Sequence, residues 1–313
     1  MHKNKEPRPR IICVIGPTCS GKNDLALGLS KDFPLEIINF DSRQVYVDLP
    51  VITAQPSEQE KKICAHHLYG FLGLRDRISA GRFVERAGDC IKDVHGRGSI
   101  PVLVGGTGMY LRSLIYGLAD IPAVPGEITR ELENECRRSG VEGLYHRLKY
   151  LDPVYAETIT DKDRQKIIRA LGVYTATGKP FSRWHQEQNK DPRYNVLKLG
   201  IMEQLEELTP RLEQRITRMI QQGAIEEVQR AWEKSGHDPS CPAFSGIGCR
   251  EVIEYIQGET DLDQARKSWL KNTRSYAKRQ LTWFRKEPDI IHTSRDKARE
   301  ELIRINDFLA GSI

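Results

Sequence analysis

The stretch that decides the fold is "VIGPTCSGKND", residues 14–24. The short apolar run "RIICVI" (residues 10–15) leads into it, and helix-forming residues follow it. Gly16 and Gly21 permit a tight turn, and Lys22 supplies a cation beside it. A strand, a glycine-rich loop and a helix in this order direct backbone N–H groups and a helix N-terminus at one place. The stretch therefore predicts a phosphate-binding loop. Its remaining residues are Pro17, Thr18, Cys19 and Ser20.

The residue after Lys22 departs from the usual form of such a loop. Ser or Thr at this place holds the magnesium ion of ATP, whereas this chain has Asn23. An amide oxygen can ligate magnesium, so Asn23 is a candidate Mg²⁺ ligand. The later strand "IPVLVGG" ends in glycines where NTPases place a metal-binding acid. The loop alone leaves open a kinase-like enzyme and a loop that serves another phosphorylated donor.

Further apolar runs are typical of strands: "LEIINFD", ending at Asp41, then "IPVLVGG", "YNVLKLGIM" and the short "DIIHTS". Because helical patterns separate them, we expect an α/β fold with a P-loop NTPase-like, doubly wound parallel sheet. Residues 118–193 are charge-rich and helical, which predicts a helical insertion domain between core segments 1–117 and 194–313. Among the later helices, one is expected from about Thr209.

The composition excludes several classes of protein. Hydrophobic residues are 39% of the 313 and charged residues 29%, which indicates a soluble globular protein. No apolar run approaches the roughly 20 residues that span a bilayer. The basic leader, residues 1–10, precedes an apolar stretch too short for a signal peptide. Seven cysteines without a C-x-x-C pair argue against disulfides and zinc, so we expect a cytoplasmic protein.

Two further features carry chemistry. Asp41 follows a strand at the edge where parallel sheets bind ligands, which makes it a candidate general base, metal ligand or turn cap. The segment "ARKSWLKNTRSYAKRQLTWFRK" (residues 265–286) has eight basic residues and no acidic one. Since an ordinary solvated face mixes both signs, this helix, expected from about 261 to 286, predicts binding to nucleic acid. Its aromatic residues recur every seven positions and are interpreted mainly as core. They are Trp269, Tyr276 and Trp283.

With these motifs in view, the chain resembles the bacterial tRNA dimethylallyltransferases, enzymes that prenylate an adenosine beside the anticodon. The resemblance covers essentially the whole chain, and the set of motifs is highly specific. The matching segments are "GPTCSGK", "DSRQVY", "SAGRFVERA", "PVLVGGTGMYLRSL", "RALGVYTATGKP", "LEQRI", "GIGCREVIEY" and "TRSYAKRQLTWFR".

The resemblance implies transfer of a dimethylallyl group from dimethylallyl diphosphate to the exocyclic amine of that adenosine, in tRNAs that read codons beginning with U. It implies Mg²⁺ as cofactor, Asp41 as the base, and Thr107 near the bridging oxygen of the leaving diphosphate. Lys22, with Arg211 or Arg215, would neutralise the diphosphate. We expect a monomer that does not bind membranes. The alternatives are a P-loop kinase or NTPase of a small substrate, an adenylate prenyltransferase, and a non-catalytic RNA-binding module.

The resemblance also implies how tRNA binds. The target base must leave the anticodon-loop stack to reach the site, and the insertion matches the domain that clasps the anticodon stem. Candidate tRNA-binding residues are Asp41, Ser42, Arg43, Gln44, Thr107, Arg130, Lys166, Ser245, Gly246, Ile247, Gly248, Cys249, Arg250, Lys278, Arg279, Gln280, Leu281, Thr282, Trp283, Phe284 and Arg285.

Overall fold

The computed structural model describes residues 8–188 and 191–311, so most of the basic leader lies outside the described residues. The chain divides into two compact units. The first combines Met1–Ile115 with Pro192–Ile313, and the second is Tyr116–Asp191. The second unit therefore lies within two residues of the stretch expected for the helical insertion, 118–193.

A six-stranded, all-parallel sheet forms the centre of the first unit. The strands are β1 (Arg10–Ile15), β2 (Leu35–Asn39), β3 (His66–His67), β4 (Ile100–Gly105), β5 (Asn195–Gly200) and β6 (Ile290–His292). Their spatial order is β3-β2-β4-β1-β5-β6, which confirms the predicted doubly wound α/β sheet. Strand β3 was not predicted, because two residues are too few to show an apolar pattern.

Helices connect the strands and make up the regular structure of the insertion over its described residues. In chain order they are α1 (Lys22–Leu29), α2 (Glu58–Ile63), α3 (Ala80–Gly96), α4 (Gly108–Tyr116), α5 (Gly126–Leu151), α6 (Pro153–Ala156), α7 (Arg164–Thr177), α8 (Phe181–Gln186), α9 (Leu205–Gln221), α10 (Ala224–Lys234), α11 (Cys249–Ile256), α12 (Leu262–Phe284) and α13 (Ala298–Ala310). A short 3-10 helix spans Pro242–Ser245.

The central strand β1 is buried from Ile11 to Ile15. Ile12 lies opposite Val102 of β4 on one side and Leu197 of β5 on the other. Such a strand, covered on both faces, reads as a continuous apolar run. The glycine-rich loop that follows β1 therefore begins at the middle of the carboxyl edge of the sheet.

Helix α9 begins at Leu205, so the expected start near Thr209 was wrong. Gln204 and Glu207 form a capping box in which the Gln204 amide donates to the Glu207 carboxylate at 3.3 Å. The hydroxyl of Thr209 donates to the carbonyl of Leu205 at 2.6 Å, and Pro210 lies within the second turn. This contact caps the helix at Gln204, so the helix starts one turn upstream of the Thr-Pro pair.

A buried ion pair joins the sheet to the chain after α12. Lys198 of β5 donates to Glu287 at 2.8 Å and to the carbonyl of Pro288 at 3.1 Å. The side chains of Lys198 and Glu287 are 4% and 1% exposed, so neither charge is solvated by bulk water. A buried charge requires such a partner. The carboxyl end of α12 is therefore attached to the sheet.

The second unit packs its own core from helices. Leu132, Leu144 and Leu148 of α5 are buried against Ile167 and Leu171 of α7. The described residues of this unit contain no strand, as the charge-rich pattern predicted. In the part of the chain that the structure describes, no helix is both long and apolar enough to cross a bilayer.

Candidate active site

The predicted phosphate loop has the open backbone that anion binding requires. A Cβ atom on Gly16 would lie 2.4 Å from the carbonyl oxygen of Ile201, so only glycine fits there. Gly21 has φ of 87°, in the left-handed region that favours glycine. The amides of Cys19 and Lys22 donate to no acceptor among the described residues. These free donors, in the loop and at the N-terminus of α1, form a cradle whose chemistry suits a phosphate.

The side chain of Lys22 bends back onto this loop. Its Nζ donates to the carbonyl of Pro17 at 2.5 Å. Burial lowers the pKa of Lys22 to about 8, while the nearby Asp41 carboxylate acts in the opposite direction. A bound diphosphate would favour the charged form of Lys22 and give the ammonium a stronger acceptor than the carbonyl.

The two arginines of α9 have different surroundings. Arg215 donates from Nη1 to the hydroxyl of Thr18 at 3.1 Å, and its charge also lowers the pKa of Lys22. Arg211 is ion-paired with Glu203. The geometry therefore favours Arg215 as the additional cation beside the phosphate loop.

Asn23 is held by a carboxylate from another element. Its amide nitrogen donates to Glu60 of α2 at 2.6 Å. Glu60 also accepts from the backbone and the hydroxyl of Ser57 at the start of α2. Burial raises the pKa of Glu60, but its hydrogen bonds with Ser57 and Asn23 outweigh this and leave the pKa below its usual value. The hydrogen bond to Glu60 leaves the amide oxygen as the atom that Asn23 can offer a cation.

The oxygen that Asn23 offers fits a magnesium ion only together with a phosphorylated ligand. No group of three His, Cys, Asp or Glu residues in the described ranges could hold a metal by itself. Mg²⁺ commonly keeps several waters and binds through one or two protein oxygens together with substrate phosphates. The Asn23 amide oxygen, beside a free phosphate cradle, meets that requirement.

Of the roles that its sequence position suggested, the structure shows that Asp41 caps the turn that follows it. Its Oδ1 accepts from the amide of Arg43 at 2.9 Å, which is the hydrogen bond of an Asx turn. The other oxygen, Oδ2, has no hydrogen-bond partner among the described residues. Asn39 fixes this turn by accepting from the Asp41 amide at 2.7 Å. One carboxylate oxygen therefore positions the side chain, and the other is available as a base.

The "GGTG" turn after β4 lies directly beside this carboxylate. Thr107 Oγ1 accepts from the amide of Ser42 at 3.0 Å, which connects the turn to the residue after Asp41. A Cβ atom on Gly105 would lie 2.7 Å from the carbonyl carbon of Phe40. A Cβ atom on Gly106 would lie 3.6 Å from Asp41 Oδ2. The close approach of the two strand ends therefore brings the turn that carries Thr107 beside the Asp41 segment.

The aromatic stripe of α12 is only partly core. Trp269 is 4% exposed, but Trp283 is 42% exposed, so the core interpretation was wrong for Trp283. Seven residues fall about 20° short of two full helical turns, so a stripe with this spacing rotates away from one buried face. Tyr276 is half-buried near Asp41. Burial, with the Asp41 charge, raises the pKa of Tyr276 against the opposing effects of Arg43 and Thr107, which keeps the phenol protonated.

Two predicted tRNA-binding segments meet at the surface of the first unit. Arg43 donates to the hydroxyl of Ser245 at 2.7 Å, so residues 41–44 and 245–250 lie side by side. Arg250 is exposed and paired with Glu254. Within the second segment, by contrast, Gly246, Gly248 and Cys249 are buried. A Cβ atom on Gly248 would lie 2.6 Å from the indole of Trp269. The three buried residues therefore determine how the segment packs on the core.

The basic face of α12 and the residues that follow it is exposed. Lys278, Arg279 and Arg285 have no ion-pair partner among the described residues, and Arg285 donates to the side chain of Gln204 at 3.2 Å. Thr282 is also exposed. Gln280, Leu281 and Phe284 point inward and are buried. The remaining candidates lie in the second unit. There, Arg130 is exposed on α5, and Lys166 of α7 pairs with Asp163 at 3.0 Å.

Sequence reasoning missed the roles of three residues. Glu60 lies in the local motif "SEQE", which predicts a helix start but not a contact with Asn23. Tyr276 appeared as one member of a core stripe. Gln280 was considered only as part of an RNA-binding segment. Each lies far along the chain from the residue it meets, and no local pattern signals such a contact.

Taken together, the fold and the site define a phosphate-loop α/β protein with a strand-end acid and a basic helix. A model of the IPP transferase family matches residues 44–287. A "tRNA dimethylallyltransferase" of Maridesulfovibrio salexigens is 50% identical over 91% of this chain and 92% of the relative. A relative of the same name from Oleidesulfovibrio alaskensis is 45% identical over 96% of this chain and 98% of its own.

Solved structures give the same result. A structure from a study of a eukaryotic dimethylallyltransferase acting on tRNA matches with a TM-score of 0.83 and 28% identity, covering 97% of this chain and 80% of its own. The tRNA isopentenylpyrophosphate transferase of Bacillus halodurans matches with a TM-score of 0.69 and 30% identity, covering 97% and 96%. The chain belongs to the IPP transferase family.

Proposed function

We propose that this protein transfers the dimethylallyl group of dimethylallyl diphosphate to the exocyclic amine of the adenosine adjacent to the anticodon of tRNA. The observation that carries the proposal is the hydrogen bond between the Ser42 amide and Thr107 Oγ1. It supports the proposal because Ser42 directly follows Asp41, so the proposed base and the Thr107 hydroxyl belong to two segments in direct contact. The names of the relatives, which specify dimethylallyl transfer to tRNA, support the same reaction.

Asp41 would act on the attacking amine, and the phosphate loop would act on the leaving diphosphate. The lone pair of the adenine amine attacks the allylic carbon, and the bond from that carbon to the diphosphate oxygen breaks. The amine is a poor nucleophile, so removal of its proton by Asp41 Oδ2 during attack lowers the barrier. The proton passes to the carboxylate, and the electron pair of the broken bond leaves with the diphosphate.

The leaving diphosphate is stabilised by fixed positive groups. Lys22 exchanges its Pro17 carbonyl for a phosphate oxygen, and the free amides of Cys19 and Lys22 donate to the diphosphate. Arg215, attached to Thr18, adds a guanidinium. Donors that are already in place where negative charge develops stabilise the transition state more than the ground state. Mg²⁺, when bound with the diphosphate at Asn23, would supply further charge neutralisation.

tRNA would bind across the exposed basic face of α12 and the adjoining surface of Arg43 and Ser245. Lys278, Arg279 and Arg285 are suited to phosphate contacts, because they lack competing carboxylates among the residues described. Trp283, exposed beside them, offers an aromatic face on which a base can stack. Arg130 and Lys166 are the proposed contacts of the helical insertion, which would clasp the anticodon stem.

The test is a transfer assay with purified protein. Labelled dimethylallyl diphosphate and Mg²⁺ are incubated with unmodified tRNA that carries adenosine next to the anticodon. The matched control tRNA carries guanosine at that position. We expect label in the first tRNA alone. Transfer to free AMP instead of tRNA would indicate an adenylate prenyltransferase, and ATP turnover without prenyl transfer would indicate a kinase or NTPase.

A further inference from the structure

Gln280 lies on the basic helix but faces away from its exposed surface. It is 4% exposed, whereas its neighbours Lys278 and Arg279 are exposed. Its side-chain oxygen accepts from the backbone amide of Thr18 at 2.8 Å. Its side-chain nitrogen donates to the carbonyl of Gly106 at 3.0 Å. One side chain therefore joins α12 to the phosphate loop and to the turn that carries Thr107.

We propose that Gln280 is a positioning residue for the prenyl donor and makes no contact with the RNA. Both ends of its amide are occupied by protein backbone, so it holds the phosphate loop and the Thr107 turn at a fixed separation. The diphosphate must contact both of these segments during transfer, the loop through Lys22 and the turn through Thr107. The inference rests on the proposed function, since that function requires a diphosphate between them.

Two glycines support this assignment independently. A Cβ atom on Gly106 would lie 2.0 Å from the Gln280 side-chain nitrogen, and one on Gly108 would lie 2.0 Å from the Trp283 indole nitrogen. Contacts below 3.0 Å require something to shift, so the turn has glycine at the two places where α12 approaches it. Helix α12 therefore packs directly against the turn that carries Thr107, which under the proposed function makes it a wall of the donor site.

Removal of the Gln280 amide leaves the Thr18 amide and the Gly106 carbonyl without their partner. Buried polar groups that lose a partner are unfavourable, so both segments are expected to move to find new ones. A displacement of about 1 Å at a reacting centre can lower a rate by roughly 100-fold. The exposed basic side chains of α12, on which most of the proposed tRNA contacts depend, lie on the other face of the helix and make no hydrogen bond with Gln280 among the described residues.

The experiment separates the two ligands. Inorganic diphosphate with Mg²⁺ is titrated by calorimetry, and an unmodified anticodon stem-loop is titrated by filter binding. For Gln280→Ala we expect diphosphate affinity to fall by about tenfold or more, with stem-loop affinity within about twofold of the wild type. Gln280→Glu keeps the acceptor for Thr18 but places a negative charge beside the anion, so it should weaken diphosphate binding further. Lys278→Ala, two residues away, is the matched control and should show the opposite pattern.

Gly106→Ala breaks the same contact in a second way. Its new methyl group displaces the Gln280 amide although Gln280 itself is present. It should also weaken diphosphate binding and leave stem-loop binding unchanged. Loss of stem-loop affinity in Gln280→Ala, or diphosphate affinity unchanged in both variants, would overturn the inference. If the wild type itself binds no diphosphate, the proposed function fails, and the inference fails with it.

Discussion

Arg215 donates a hydrogen bond to the hydroxyl of Thr18 at 3.1 Å, and this contact attaches α9 to the phosphate loop. The two residues are 197 positions apart in the chain. Arg211, one turn earlier on the same helix, is paired with Glu203 instead. The structure therefore separates two arginines that the sequence left equivalent.

The first prediction follows from that separation. Arg215→Ala should raise the KM for dimethylallyl diphosphate and lower kcat, with a combined decrease in kcat/KM of about 100-fold, because a charge-stabilising group is removed. Arg211→Ala is the matched control and should change kcat/KM by less than about threefold. Steady-state kinetics with tRNA at saturation measures both. Equal decreases in kcat/KM in the two variants would contradict the assignment of Arg215, rather than Arg211, as the additional cation.

The second prediction concerns Asp41. Asp41→Asn keeps an oxygen that can accept from the Arg43 amide, so the Asx turn and tRNA binding should be preserved. The amide cannot serve as a base, and the rate of prenyl transfer should fall by about 100-fold to 10,000-fold. Single-turnover transfer and filter binding report the two effects. A rate near that of the wild type would exclude Asp41 as the base.

The third prediction uses the pKa of Lys22. Because burial lowers this pKa to about 8, Lys22 loses its charge in the free protein as the pH rises through 8. The bound anion favours the charged form, so diphosphate affinity attributable to Lys22 is fully present below pH 8 and decreases above it. Lys22→Arg should flatten this part of the profile, because guanidinium does not titrate there. Calorimetric titrations of diphosphate into both proteins, over about 1.5 pH units on either side of pH 8, compare the two pH profiles.

The fourth prediction concerns the salt dependence of tRNA binding. Neutralising Lys278 and Arg279 together should reduce the slope of log affinity against log salt by about 0.7–0.9 for each RNA phosphate that the variant no longer neutralises. Lys31→Ala and Lys62→Ala, which remove exposed charges elsewhere, should leave the slope as it is. Filter binding over a salt series provides the slopes. An unchanged slope in the α12 variant would mean that its basic face is only solvated.

The fifth prediction concerns magnesium. Removal of Mg²⁺ with a chelator should abolish prenyl transfer and preserve tRNA binding, because the ion is expected to act with the diphosphate. Asn23→Thr replaces the amide with a hydroxyl and should lower the Mg²⁺ concentration needed for half-maximal transfer by severalfold, without producing ATPase activity. A second variant, Glu60→Gln, disturbs the hydrogen-bond partner of Asn23 and should raise the Mg²⁺ concentration needed for half-maximal transfer. Gain of ATPase activity in Asn23→Thr would contradict the assignment.

Local patterns were sufficient where a segment is stabilised by its own neighbours in sequence. The run from Arg10 to Ile15 had to be a buried strand, since it is almost uniformly apolar, and the loop after it followed from two glycines and a lysine. The start of α9 was misplaced because a Thr-Pro pair and a capping box compete as start signals, and the hydrogen bonds of the capping box prevailed. The seven-residue spacing turns the stripe away from one buried face, but the packing of α12 against its neighbours decided that Trp283 is the member left exposed.

The sequence by itself determined the parallel α/β sheet, the phosphate loop, the strand-end position of Asp41 and the single-signed charge of α12. All of these depend on residues close together in the chain. Only the tertiary structure decided that Arg215 meets Thr18, that Glu60 holds Asn23 and that Gln280 joins the phosphate loop to the Thr107 turn. Those contacts join residues 37 to 262 positions apart. Their geometry is set by how whole helices pack against the sheet, and no stretch of sequence contains that information locally.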